Sequence, residues 1–172
     1  YARIGGASPI LGQTEIQASA LEEALRGDGN TWRAFVCMRY WHPFTEQVVQ
    51  QVRQFAPDQV VLLPLYPQFS TTTTASSVAA WQREIGRLKI PTTLVCCYPE
   101  ERGFIDASAE LVKAELEAIG GKARVLFSAH GLPEKVIKAG DPYQEQVERT
   151  AHAVAQRLGL ADWAVCYQSR VG

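Results

Sequence analysis

The chain of 172 residues has no excess of charge of either sign: Lys and Arg number 17, Asp and Glu 18, and the formal net charge is −1. A phosphate backbone therefore has little electrostatic reason to bind, which argues against a nucleic-acid partner. The chain has no apolar run near the ~20 residues that span a bilayer, and no signal-peptide pattern of basic start, apolar centre and small-residue cleavage site. With 47% hydrophobic residues, the composition is that of a globular protein, and we expect a cytoplasmic one.

Cysteines are few and lack the spacing of metal ligands. Cys37, Cys96, Cys97 and Cys166 each lie in or beside an apolar run, which predicts reduced, buried and unreactive thiols. Cys96 and Cys97 are adjacent, and a strand would send neighbouring side chains to opposite faces. We therefore expect these two residues to pack in a core.

Neither a dinucleotide fingerprint (G-x-G-x-x-G) nor a P-loop is present, since the glycine-rich stretch IGGASP at 4–9 fits neither pattern. One hydroxyl-rich run, STTTTASS at 70–77, follows a predicted strand. Hydroxyls and free N–H groups at a helix start can hold an anion, as in flavin-mononucleotide binders. A loop that only caps the next helix is the alternative interpretation of this run.

Apolar runs and helical stretches alternate along the chain. Runs that predict strands lie at 33–38, 59–65, 92–97, 124–129 and 163–168. Stretches with helical periodicity lie between them, at 14–26, 44–55, 77–88, 104–119 and 142–158. Thr14 with Gln17, and Asp141 with Gln144, have the spacing of capping boxes. Alternation of this kind predicts an α/β fold, doubly wound, whose parallel strands are covered on both faces.

Chemistry in such folds sits outside the carboxyl ends of the strands. His130 follows the fourth predicted strand, where an imidazole can take a proton or bind a divalent metal; a His bonded to a loop carbonyl is the alternative. Arg39 and Tyr40, after the first strand, suit a carboxylate and a flat ligand face. His42 and His152 are expected to be structural, His42 as a cap of the next helix.

Six blocks resemble the ferrochelatase family in family order along nearly the whole chain. They are IGGASP at 4–9, MRYWHP at 38–43, LYPQFS running on to the hydroxyl run at 65–77, FSAHGLP at 127–133, GDPY at 140–143 and YQSRVG at 167–172. The resemblance implies two similar Rossmann-like or chelatase-like halves, with a porphyrin between them. We expect residues 1–72 to belong to the first half and 73–172 to the second, as an internal segment of a longer protein.

The resemblance also implies a reaction, the insertion of ferrous iron into protoporphyrin IX to form protoheme. Iron is then a substrate, and no cofactor is expected to be held permanently by this segment. His130 would be the catalytic residue as base, iron ligand or both, with a second ligand, a Glu, expected beyond Gly172. Porphyrin contacts would come from Ser8, Arg39, Tyr40, Tyr66, Gln68, Phe69, Ser70 and Ser77.

Several alternatives stay open from the sequence. The substrate could be coproporphyrin, although the YPQF version at 66–69 resembles the protoporphyrin group more closely. Another chelatase would insert cobalt or nickel, and other classes are a flavin-binding α/β reductase and a non-catalytic porphyrin-binding fragment. Oligomeric state and association with a membrane surface are left open. We expect the isolated segment to be poorly soluble or loosely packed and inactive.

Overall fold

The order of elements confirms an α/β fold with parallel strands. The computed structural model describes residue 6 and residues 8–86 and 88–168. The helices are α1 (Ile10–Ala24), α2 (Thr45–Phe55), α3 (Ser76–Ile85), α4 (Arg102–Ala118), α5 (Glu134–Lys138) and α6 (Tyr143–Leu158). The strands are β1 (Val60–Leu62), β2 (Thr92–Leu94), β3 (Val125–His130) and β4 (Trp163–Gln168). A π-helical turn, Thr71–Ala75, leads directly into α3.

Within the described part of the chain the strands form two pairs. β1 pairs with β2, and β3 pairs with β4 in parallel register from Val125 opposite Trp163 to His130 opposite Gln168. The β3–β4 connection contains α5 and α6, as a parallel crossover requires.

The chain separates into two compact units. The first comprises Tyr1–Val60 and Ser77–Pro91, and the second comprises Val61–Ser76 and Thr92–Gly172. The expected assignment of 1–72 and 73–172 to two chelatase-like halves stays a prediction.

Helical faces supply the buried residues of both units. In the first unit, α2 buries Val48, Val49 and Val52 at three- and four-residue steps, and α3 buries Ala80, Trp81 and Ile85. In the second unit, Ile105 and Ala109 of α4 form a buried cluster with Val154 of α6, against which Phe127 of β3 packs. This cluster holds β3 in place, and β3 carries His130 at its end.

β3 is covered on one face, not on both as predicted. Val125, Phe127 and Ala129 are half-buried, whereas Leu126, Ser128 and His130 alternate with them and are exposed. Alternation follows from the period of two of a strand that packs on helices at one face. The continuous apolar run did not reveal this, because Leu126 is apolar yet 59% exposed.

Two other predictions of local structure were wrong. Residues 33–38 are not a strand: among the described residues this segment makes only an isolated bridge between Met38 and Phe44. An apolar run becomes a strand only when a neighbouring strand takes up its backbone hydrogen bonds. Thr14 does not cap a helix either, because α1 begins at Ile10 and the Thr14 hydroxyl donates to the Ile10 carbonyl at 2.7 Å.

The predicted cap at Asp141 is present in part. Asp141 Oδ1 accepts a hydrogen bond from the backbone N–H of Tyr143, the first residue of α6, at 3.0 Å. The Gln144 side chain instead donates to Glu148 at 2.9 Å, so the capping box is incomplete. His42 contacts Gln47, with 3.4 Å between His42 Nδ1 and Gln47 Oε1, and the backbone N–H of Phe44 donates to that same oxygen at 2.9 Å.

Candidate functional site

His130 is the last residue of β3, and its side chain is exposed. Its position is secured by the backbone: the Gly131 N–H donates to the Gln168 carbonyl at 2.7 Å, which continues the β3–β4 ladder one step past the strand. The phenol of Tyr143 lies at the His130 backbone. Burial raises the pKa of Tyr143, and the hydrogen bond from the His130 backbone opposes this rise. The imidazole is thus presented to solvent from the end of a hydrogen-bonded strand.

Asp141 links the start of α6 to the hydroxyl-rich run. The sequence predicted only its contact with the start of the helix. The residue is 7% exposed. Its Oδ2 accepts from the Ser70 hydroxyl at 3.0 Å, the Thr71 N–H at 2.7 Å and the Thr71 hydroxyl at 2.6 Å. Burial raises the pKa of Asp141, but the hydrogen bonds from Thr71, Tyr143 and Ser70 outweigh it and hold that pKa below its ordinary value.

These contacts bear on the two interpretations of the hydroxyl run, helix cap and phosphate site. The N–H and hydroxyl of Thr71 already donate to a carboxylate, so they are not available to an incoming phosphate. The Ser70 hydroxyl accepts from the Thr72 N–H at 3.1 Å, which caps the π-helical turn. The start of the run therefore caps the helix around Asp141, which favours the helix-capping interpretation over the flavin-phosphate one.

Gln68 and Phe69 are attached to α6 by side-chain hydrogen bonds. The Gln68 amide donates to Thr150 Oγ1 at 2.8 Å, and the Phe69 N–H donates to Gln146 Oε1 at 2.8 Å. The Thr150 hydroxyl in turn donates to the Pro99 carbonyl at 2.6 Å. Residues 68–71 are thus held along α6, from Asp141 just before its first residue to Thr150, and no local sequence signal indicates these long-range contacts.

Tyr66 precedes this segment and is 43% exposed. The backbone on either side of it is bound by Tyr98, whose hydroxyl donates to the Pro64 carbonyl at 2.9 Å and whose N–H donates to the Pro67 carbonyl at 2.8 Å. Tyr66 is therefore an exposed ring on an anchored backbone. Phe69 is half-buried, and Ser70 is 1% exposed.

Arg39 and Tyr40 lie in the first unit. The Arg39 guanidinium lies 4.8 Å from the centroid of the Tyr40 ring, within the range of a cation–π contact, and Tyr40 is 71% exposed. Trp41 is also exposed. The guanidinium and the aromatic ring therefore lie side by side, and their role in binding a carboxylate and a flat ligand stays a prediction.

Ser8 and Ser77, the remaining predicted contacts, also lie in the first unit. Ser8 is exposed and its hydroxyl accepts from the Ile10 N–H at 3.4 Å, at the start of α1. Ser77 is half-buried in the first turn of α3. Residues 4, 5 and 7 of the glycine-rich block, and residues 169–172 of the last block, lie outside the described part of the chain.

The prediction of buried thiols was wrong. Cys37 is exposed, and Cys96, Cys97 and Cys166 are half-buried. For Cys96 and Cys97 the reason is that β2 ends at Leu94, before these two residues, so they do not lie in a strand as expected. Among the described residues, no group of three or more His, Cys, Asp or Glu side chains is placed to hold a metal ion.

Comparison with known proteins identifies the family of the chain. The sequence model of the Ferrochelatase family matches residues 1–172. The chain belongs to the ferrochelatase family. Ferrochelatase of Caulobacter vibrioides (strain NA1000 / CB15N) is 57% identical over 177 residues, which cover 100% of this chain and 51% of that protein. Ferrochelatase of Wolbachia sp. subsp. Drosophila simulans (strain wRi) is 48% identical and covered to 57%, and that of Rickettsia bellii (strain OSU 85-389) is 49% identical and covered to 49%.

The chain spans about half the length of these curated relatives. The predicted porphyrin contacts and His130 fall into two groups, those with exposed side chains and those whose side chains already make hydrogen bonds within the protein. Tyr40, Tyr66 and His130 offer exposed side chains, whereas Gln68 and Ser70 use hydrogen-bonding groups to hold their own loop. None of the helices in the described residues is long and apolar enough to cross a membrane.

Proposed function

We propose that the protein containing this chain inserts ferrous iron into protoporphyrin IX to give protoheme, the last step of haem biosynthesis. The observation that carries the proposal is the exposed imidazole of His130 at the end of β3, in a chain of the ferrochelatase family. Porphyrin and ferrous iron are the substrates. Coproporphyrin is the second candidate for the macrocycle, as some family members act on it.

Metallation of a porphyrin makes three demands. Water must leave the iron, two pyrrole N–H protons must be removed, and the flat ring must buckle so that its nitrogens point at the metal. A site that fits the buckled ring better than the planar one lowers the barrier by differential binding. His130 is suited to the second demand as proton acceptor and to the first as iron ligand.

The porphyrin-binding residues divide by what their side chains offer. Arg39 is proposed to meet a propionate, and Tyr40, Tyr66 and Phe69 to press on the ring. Ser8 and Ser77 are proposed to contact the porphyrin as well. Gln68 and Ser70 are proposed to act by holding the loop, because their hydrogen bonds to Thr150 and Asp141 already occupy them.

The metal and the macrocycle are tested together. The complete protein is assayed anaerobically with ferrous, cobalt and nickel ions, and with protoporphyrin and coproporphyrin as separate substrates. We expect kcat/KM to be highest for ferrous iron with protoporphyrin. A preference for cobalt or nickel would reject the iron assignment, and a preference for coproporphyrin would select the second candidate. Binding of either porphyrin without metallation would identify a non-catalytic porphyrin-binding protein.

The isolated 172-residue chain is expected not to metallate porphyrin above the uncatalysed rate. By resemblance, the family's second catalytic group is a Glu that is absent from these residues. The test expresses the chain beside the complete protein and compares ferrous insertion and near-ultraviolet circular dichroism. Full activity of the isolated chain would contradict the need for that Glu.

A further inference from the structure

Cys96 and Cys97 bring two thiols into contact just after β2. The Cys97 thiol donates to Cys96 Sγ at 2.9 Å, and both residues are half-buried. In a strand, neighbouring side chains point to opposite faces. Here β2 ends at Leu94, before the two cysteines, and their sulfurs lie 2.9 Å apart.

We infer that Cys96 and Cys97 form a dithiol site that captures one thiophilic atom between their sulfurs, and that its ligand class is a trivalent arsenical. The inference goes beyond the proposed function and does not depend on it.

The adjacency of the two residues favours a bridging atom over a direct S–S bond. Cα atoms joined by a trans peptide are about 3.8 Å apart, whereas disulfide-bonded cysteines have Cα atoms roughly 4.4–6.8 Å apart. A direct bond would also need the sulfurs to approach to about 2.05 Å. A single atom that bonds to both sulfurs keeps them further apart, so it fits the present contact with less change in the backbone.

The capture reaction balances without an oxidant. An organic arsenic(III) oxide, R–As=O, reacts with both thiols: two As–S bonds form, and two S–H bonds and the As=O bond break. The oxygen and the two protons leave as one water molecule. Arsenic stays trivalent and the sulfurs stay at the thiol oxidation level.

The same contact makes Cys96 a poor target for reagents that need a thiolate. The hydrogen bond from Cys97, with burial and the charge of a neighbouring thiolate, raises the pKa of Cys96 to about 11. Thiolate is the reactive form of cysteine, so ordinary alkylation of Cys96 is expected to be slow at neutral pH. A reagent that binds both sulfurs forms two bonds at once, and this chelation favours it over a reagent that binds one sulfur.

The test uses phenylarsine oxide on the native complete protein under anaerobic conditions, followed by mass spectrometry of intact protein and tryptic peptides. The peptide 90–102 contains Cys96 and Cys97 and neither Cys37 nor Cys166. We expect one arsenical bound on that peptide through two sulfurs, and its removal by a small dithiol but not by a monothiol. Absence of an adduct on 90–102, or an adduct on one sulfur only, would overturn the inference.

Serine variants keep size and polarity and control for folding. Cys96→Ser and Cys97→Ser should each abolish dithiol-reversible capture, whereas Cys37→Ser and Cys166→Ser should leave it unchanged. If Cys96→Ser or Cys97→Ser still binds the arsenical in a dithiol-reversible way, other thiols carry out the reaction. If the untreated pair forms a disulfide in air and no longer binds the arsenical, direct S–S bonding is preferred. That result would also reject the proposed site.

Discussion

The Asp141 carboxylate accepts a hydrogen bond from the Ser70 hydroxyl at 3.0 Å, although 71 positions separate the two residues in the sequence. With the two bonds from Thr71 and the one from Tyr143, this contact joins the start of α6 to the loop that begins the π-helical turn. Ser70 and Asp141 are both buried. Removing the carboxylate would therefore leave several buried donors without an acceptor.

We expect Asp141→Asn to lower the free energy of unfolding by about 1–3 kcal/mol, because hydrogen bonds to a charged acceptor are lost and an amide N–H₂ faces donors. Urea unfolding of the complete protein measures this. Asp162→Asn is the matched control: Asp162 pairs with Arg124 at 3.3 Å on the surface, with 65% of its side chain exposed, and its loss should change stability little. Equal effects of the two variants would contradict the role of Asp141.

The lowered pKa of Asp141 also predicts a pH dependence of stability. The folded-state pKa lies below the ordinary value of 3.8, so the unfolded chain binds more protons than the folded one near that pH. The stabilisation by Asp141 is therefore fully present above about pH 5, and it is lost as the pH falls below 3.8 towards the folded-state pKa. Unfolding curves between pH 6 and pH 3 should show a smaller fall in stability for Asp141→Asn than for the unchanged protein.

His130→Ala is expected to reduce metallation by roughly 10² to 10⁴-fold, the usual contribution of a general base. Porphyrin binding should persist, because the proposed ring contacts come from aromatic residues and Arg39. Steady-state assays with fluorescence titration of porphyrin separate the two effects. His152→Ala is the control, since His152 is exposed on α6 with Trp163 as its ring neighbour. Near-normal turnover in His130→Ala would reject both the base and the ligand role.

Arg39→Ala should weaken porphyrin binding more than it slows the chemical step, because a lost propionate contact removes ground-state binding. Arg39→Lys keeps the charge but loses the planar guanidinium. Its porphyrin affinity should therefore lie between those of the unchanged protein and Arg39→Ala. Porphyrin dissociation constants and single-turnover rates at saturating porphyrin test this. A fall in the single-turnover rate with unchanged binding would place Arg39 in the chemical step instead.

Thr150→Val should lower stability by about 1–2 kcal/mol, because its hydroxyl connects the Gln68 amide to the Pro99 carbonyl. Thr150→Ser retains the hydroxyl and should recover most of the loss. Urea unfolding measures both variants, and porphyrin titration shows whether release of Gln68 also weakens binding. A serine variant as unstable as the valine variant would show that packing of the methyl group dominates.

The sequence pattern predicted the elements whose formation depends on residues close together in the chain. Helices α2, α4 and α6 appear close to the predicted bounds, because their apolar residues repeat at helical spacing. β4 matches its predicted range of 163–168. The pattern failed where an element needs a neighbouring strand. Residues 33–38 have the composition of a strand, but within the described residues no neighbouring strand forms a series of backbone hydrogen bonds with them.

The sequence by itself determined the α/β class, the family and the position of His130 at a strand end, because these depend on periodicity and on contiguous blocks. Only the tertiary structure decided how Asp141 binds Ser70 and Thr71, how Thr150 holds Gln68, and how the Cys96 and Cys97 thiols meet. The first two contacts join residues 70 or more positions apart, and the third depends on where β2 ends. Local propensity contains neither kind of information, since both follow from which backbone segments the fold places side by side.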